Sequence, residues 1–115
     1  MVLDQHIAAI EAWTDVPLAH QYRALLASHG GQFVGDLVRF YTADEIIERN
    51  DCYEVQLYCP GYLVIGDDSG GRAVVISLQL SSSPVFIVDH GSMTPEDFDL
   101  VAESLLSWVS EGCPL

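Results

Sequence analysis

Five residues, Asp67-Asp68-Ser69-Gly70-Gly71, form the densest polar stretch of this 115-residue chain, with apolar runs on both sides. Neighbouring carboxylates ahead of paired glycines suggest a phosphate cradle, a cation loop or a chain reversal. A P-loop needs a lysine after its glycines to reach the phosphates. This chain has no lysine, only Arg23, Arg39, Arg49 and Arg72. The spacing G-x-G-x-x-G is absent as well. A calcium loop of the EF-hand type ends on a bidentate glutamate at its twelfth position, and counting from Asp67 that position is Leu78. A looser cation site on Asp67 and Asp68 stays open. The better-supported reading is a β-hairpin turn, because Gly70 or Gly71 can supply the positive φ of a tight reversal. On that reading Asp67 and Asp68 sit exposed at the tip and are dispensable for folding.

Other reactive groups lead no further. Without lysine there is no Schiff-base chemistry, and no G-x-S-x-G elbow occurs. Asp89 and His90 are adjacent, but neighbours on a strand point to opposite faces and so make a poor dyad. His6, His20, His29 and His90 lack zincin-like spacing, and Cys52 and Cys59 lie too far apart for a C-x2-C knuckle. The odd set Cys52, Cys59 and Cys113 reads as reduced thiols. Trp13 and Trp108 fall on helical stripes and read as core. Tyr53, Tyr58 and Tyr62 read as strand aromatics packing a sheet, with a partner surface as the alternative. No catalytic residue, cofactor or metal is expected.

The charge is the unusual quantity. Four arginines against 17 acids give a net charge of −13. Such a chain repels phosphate backbones and anionic lipid, which argues against nucleic acid and membrane surfaces, and it steers toward basic partners. The acidity also serves solubility. No apolar run approaches the ~20 residues of a membrane span. The opening MVLDQHIAAIEAW carries Asp4 and Glu11 and no basic segment, unlike a signal peptide. A cytoplasmic protein is expected. Half the residues are hydrophobic, enough for a real core.

The elements that must position these groups can be read from periodicity. Ile7, Ile10 and Trp13 predict a helix over 4–13. Pro17 suits the first turn of a second helix, whose stripe is Leu18, Tyr22, Leu25, Leu26 and His29, stopped by Gly30-Gly31. Leu37 to Tyr41 predict a strand. Thr42 and Glu45 then form a capping box opening a third helix that fades at Asn50-Asp51. CYEVQLY predicts a strand over 52–58, and Pro60-Gly61 a turn. Two strands flank the glycine pair, and PVFIVD is another. TPEDF predicts the start of a closing helix, with Thr94 as N-cap, Pro95 in the first turn and the stripe Phe98, Val101, Leu105, Trp108 and Val109. Helices first, strands next and a helix last predict an α+β fold: a mostly antiparallel, mixed sheet flanked by N-terminal helices and one C-terminal helix, in a single domain over 1–115.

Four segments in this order resemble the SUKH superfamily, the Smi/Knr-type domain. They are VPLAHQYRALLASHGGQF, LVRFYTADEIIERN, YLVIGDDSGGRAVVISL and PVFIVDHG, spanning roughly residues 16–91. The departure is His29, where the family usually has asparagine before the glycine pair. The resemblance implies a non-enzymatic protein-binding domain. SUKH members include fungal cell-wall assembly regulators, the SecY-interacting Syd protein and many small bacterial immunity proteins thought to neutralise polymorphic toxins, often nucleases. It therefore implies an immunity protein binding a basic toxin domain, or alternatively a regulatory or scaffolding protein with an endogenous partner. The family assigns no catalytic residues and no fixed contacts. The acids left over from capping, Asp36, Asp44, Glu48, Asp67 and Asp68, are the expected partner-binding residues.

Overall fold

The structure is a computed structural model and describes residues 2–79 and 83–115. Six strands, β1 (Phe33–Val34), β2 (Val38–Phe40), β3 (Tyr62–Asp67), β4 (Arg72–Ser77), β5 (Val85–Asp89) and β6 (Asp99–Ala102), pair antiparallel in sequence order. Five helices accompany them: α1 (Val2–Thr14), α2 (His20–His29), α3 (Ile46–Cys52), α4 (Val55–Tyr58) and α5 (Leu105–Ser110). This is an α+β fold, and every pairing among the described strands is antiparallel.

Residues paired across a ladder share a face. Phe40, Gly66, Val74 and Ile87 therefore line one side of the sheet, and Arg39, Asp67, Ala73 and Val88 the other. α2 and α5 pack together, and the α5 residue Trp108 meets Phe40 edge-on at 6.3 Å on the first side. α3 covers the second side, where its Arg49 reaches the ring of Tyr41. With both faces covered, β3 and β4 bury nearly every side chain, and read as continuous apolar runs instead of alternating ones.

The central hairpin forms as expected. Gly71 takes φ +98° and Ser69 φ +65°. A Cβ at Gly71 would meet nothing within 4 Å, so backbone strain alone opposes a side chain there. Gly71→Val should therefore lower stability by about 1–3 kcal/mol in urea unfolding; a neutral variant would show that the turn accommodates a β-branched residue without strain.

Three expectations are corrected. The second helix starts at His20 with Ala19 as N-cap, not at Pro17. Asp15 is left-handed, and the extended segment after it drops Leu18 into the core, where its N–H donates to the Glu11 carboxylate at 2.7 Å. Residues 52–58 are not a strand: they end α3 and form α4. A strand there would need a free edge, but β3 has β4 on one side and β2 with the Asn50 side chain on the other. The closing helix is divided as well. Thr94 makes no side-chain cap, Pro95–Asp97 is a 3-10 turn, and Asp99–Ala102 pairs with β5 as β6. The division lets Phe98 pack against Tyr62 and Phe86, on the side of the sheet opposite Trp108.

Candidate protein-binding surface

The five acids singled out by sequence fall into three situations. Asp36 lies exposed in the β1–β2 turn. Asp44 and Glu48 are exposed at the start of α3. Asp67 and Asp68 are at the β3–β4 tip, and neither projects freely into solvent. Asp68 is only 6% exposed, which corrects the expectation of an exposed pair. Its Oδ1 accepts the N–H groups of Gly70 (2.8 Å) and Arg72 (3.0 Å), and its Oδ2 accepts Arg72 Nε at 2.8 Å. Burial alone would raise its pKa, but these donors hold the carboxyl below its ordinary value. Asp67 accepts the Ser69 N–H at 3.0 Å and the Tyr41 hydroxyl at 3.2 Å.

Tyr41 links the tip to α3. Its ring is buried, and the guanidinium carbons of Arg49 and Arg39 sit 5.1 and 5.9 Å from its centroid. Burial, and next the Asp67 charge, push its phenol well above the ordinary value. Glu45 lies beside both arginines, at 3.0 Å from Arg39 and 4.0 Å from Arg49. Its carboxylate also accepts the Thr42 N–H at 2.9 Å, so half of the expected capping box forms. The other half does not, because the Thr42 hydroxyl donates to Asp44 instead. That bond lowers the Asp44 pKa. Burial raises the pKa of Glu45, yet its bonds to Thr42 and Arg39 bring it below the ordinary glutamate value.

The arginines are thereby largely used up. Arg39, Arg49 and Arg72 are ion-paired, and Glu45 and Asp68 are their partners among the described residues. Among the described residues, Asp36, Asp44 and Glu48 face solvent with no arginine within ion-pairing distance.

Ser69 donates from Oγ to the Leu37 carbonyl at 2.8 Å, so the β3–β4 tip and the β1–β2 turn are adjacent. Beside that turn lies a cleft of about 220 Å³, lined by residues 35–37 and 112–115. Sequence reading missed the exposed apolar side chains here. Leu37 was counted as a strand residue, but it is 53% exposed, as are Leu115 (52%) and Phe33 (60%). The available signal was the Gly35-Asp36 turn immediately before Leu37. A second exposed apolar pair, Leu57 and Tyr58, lies on α4.

Cys52 and Asp89 are exposed, while most of the other reactive side chains are held by local bonds or packing. Asp89 accepts the Gly91 N–H at 2.8 Å and starts a 3-10 turn, while the His90 ring stacks on Tyr53 with centroids 4.7 Å apart. Cys59 and Cys113 are buried, and burial pushes the Cys113 thiol up to about 12. Among the described residues no three His, Cys, Asp or Glu side chains converge as a metal site. No described helix is long and apolar enough to cross a membrane.

The described surface is thus acidic and partly apolar, on a helix-covered antiparallel sheet. The chain matches the family model for the SMI1 / KNR4 family (SUKH-1) over residues 1–111 and belongs to that family. The family is in general a non-enzymatic protein-binding domain. Comparison with curated proteins gave no match.

Proposed function

We propose that this protein is an immunity protein that binds and neutralises a basic toxin domain, with a nuclease as the fitting class. The observation that carries the reading is the uneven charge. The net charge is −13, and three of the four arginines are already paired internally. A nuclease active site is built to receive a polyanion, and an acidic face can occupy it. Asp36, Asp44 and Glu48 are the exposed contact residues on this reading. Asp67 and Asp68 act from behind, by shaping the tip and contributing to its negative potential. A regulatory or scaffolding role toward an endogenous partner is the alternative, in keeping with the regulators for which the family is named.

The test is a search for a toxin gene beside this chain in its genome, followed by binding to the basic nuclease domain of any toxin found there. Expected are a one-to-one complex, loss of nuclease activity, and an association rate that falls about tenfold or more between low and physiological salt as steering is screened over a Debye length of ~8 Å. Binding without loss of nuclease activity would favour the regulatory role. A rate independent of salt would remove the electrostatic argument.

A further inference from the structure

We propose that the cleft between the β1–β2 turn and the C-terminal tail receives a single lysine or arginine side chain of the partner protein. The proposal rests on the reading above and specifies where one basic residue of the partner anchors.

Size is the first argument. At about 220 Å³ the cleft is smaller than the ~300 Å³ at which small-molecule and cofactor sites begin. It suits one long side chain. Chemistry is the second. Leu37 and Leu115 offer half-exposed hydrocarbon, and Asp36 is the one acidic side chain in the lining. A lysine or arginine has the matching division, an apolar stem and a charged head. Asp36 has no arginine within ion-pairing distance among the described residues, so no internal cation competes for it. The net charge of −13 adds a long-range attraction that a neutral or acidic side chain would not feel.

Preorganisation is the third argument. Gly35 is left-handed at φ +71°, and a Cβ on it would collide with the Gly112 carbonyl oxygen, so turn and tail are in close contact. The tail is held by Trp108, whose indole N–H donates to the Pro114 carbonyl at 3.0 Å and whose carbonyl accepts the Cys113 N–H at 3.0 Å. The turn is held by the bond from Ser69 to the Leu37 carbonyl. Trp108 is buried in the core, so the floor of the cleft is anchored there. A site held open in this way binds without first paying to order its walls. Such pockets are where partner side chains act as anchors.

The test uses the intact protein and blocked amino acids as probes. N-acetyl-lysine N-methylamide and its arginine counterpart are titrated into isotope-labelled protein and followed by amide NMR, with the norleucine and glutamate counterparts as controls. Saturable shifts centred on residues 35–37 and 112–115 are expected, at about millimolar affinity. Asp36→Asn should weaken the cationic probes about 3- to 5-fold, the range of an exposed ion pair. Leu37→Ser should weaken the norleucine probe as well, through loss of stem contact. Both positions are exposed, and unfolding midpoints should stay unchanged. Equal response to lysine and norleucine probes would overturn the proposal. Shifts centred on another acidic patch would also overturn it while leaving the acidic-face reading intact. Failure of that reading would instead show as absence of a complex with a basic nuclease-toxin domain encoded beside this chain, or as absence of any such gene, whatever the probes do.

Discussion

Asn50→Ala is expected to lower stability by about 3–5 kcal/mol. Asn50 is completely buried in α3. Its Nδ2 donates to the carbonyls of Ile46 and Val64, both at 2.9 Å, and its Oδ1 accepts the Val64 N–H at 2.8 Å. β2 pairs with β3 only at Asp67 and Gly66, and the chain then turns away toward α3. The Tyr41 N–H still reaches the Ile65 carbonyl, but Val64 has no strand beside it on that side. The Asn50 amide takes the missing strand's place, donor against acceptor and acceptor against donor. Removing it strands a buried N–H and a buried C=O, each costing about 1–3 kcal/mol. Against a typical total of ~5–15 kcal/mol this is a large loss. Asn50→Asp should do no better, since a carboxylate cannot donate to the two carbonyls. Urea unfolding followed by circular dichroism measures the effect. A loss under ~1 kcal/mol would mean that β3 keeps its edge satisfied without Asn50.

Asp68→Asn is expected to cost about 2–4 kcal/mol at pH 7, as two hydrogen bonds to a buried carboxylate and its contact with Arg72 are weakened or lost. The Arg72 side chain is 49% exposed, so the ion pair contributes the smaller part and the backbone N–H groups the larger. The pH dependence carries a second signature. The folded pKa of Asp68 lies below its ordinary value. A depressed carboxyl contributes stability that is complete above the unfolded pKa of ~3.9 and is lost as pH falls through the folded value. The gap between the native protein and Asp68→Asn should therefore be constant from pH 7 to about 5 and close below about 4. Relief of self-repulsion as the other acids protonate acts on both proteins and largely cancels in the difference. A gap that persists undiminished at pH 3 would place the role of Asp68 in its shape, not its charge.

Much of the site was legible only as a set of residue types. Asp36, Asp44 and Glu48 could be read as exposed, because each falls in or near a turn or helix start and none is needed there as a cap. Asp68 could not be placed. Its sequence context is a hairpin tip, where aspartate is ordinarily solvated; the bond from Gly70 is a local turn motif, but the further two bonds from Arg72 and the burial that goes with them are not signalled by residue type. Leu37 was hidden for the opposite reason: a leucine before Val-Arg-Phe-Tyr looks like strand core, but it ends the β1–β2 turn and its side chain stays half exposed.

The fold divides along the same line. The sequence by itself determined the features whose physics is complete within a few residues. The stripe of Tyr22, Leu25 and Leu26, the stop at Gly31 and the reversal at Gly71 are of this kind, since helical period and left-handed backbone are local properties. Tertiary structure decided what depends on partners far along the chain. Residues 52–58 carry an alternation fit for a strand, but no free sheet edge awaits them. Residues 94–110 carry a helical stripe, but the open edge of β5 takes Asp99–Ala102 into the sheet. The N-terminus of α5 is capped not by Ser104 but by Gln21 of α2, whose Oε1 accepts the Leu106 N–H at 2.9 Å and the Ser104 hydroxyl at 2.9 Å. Asn50, a plausible helix end in the sequence, becomes the surrogate edge of β3. In each case a backbone donor or acceptor has to be satisfied once buried, and which group satisfies it depends on chain segments that meet only after folding.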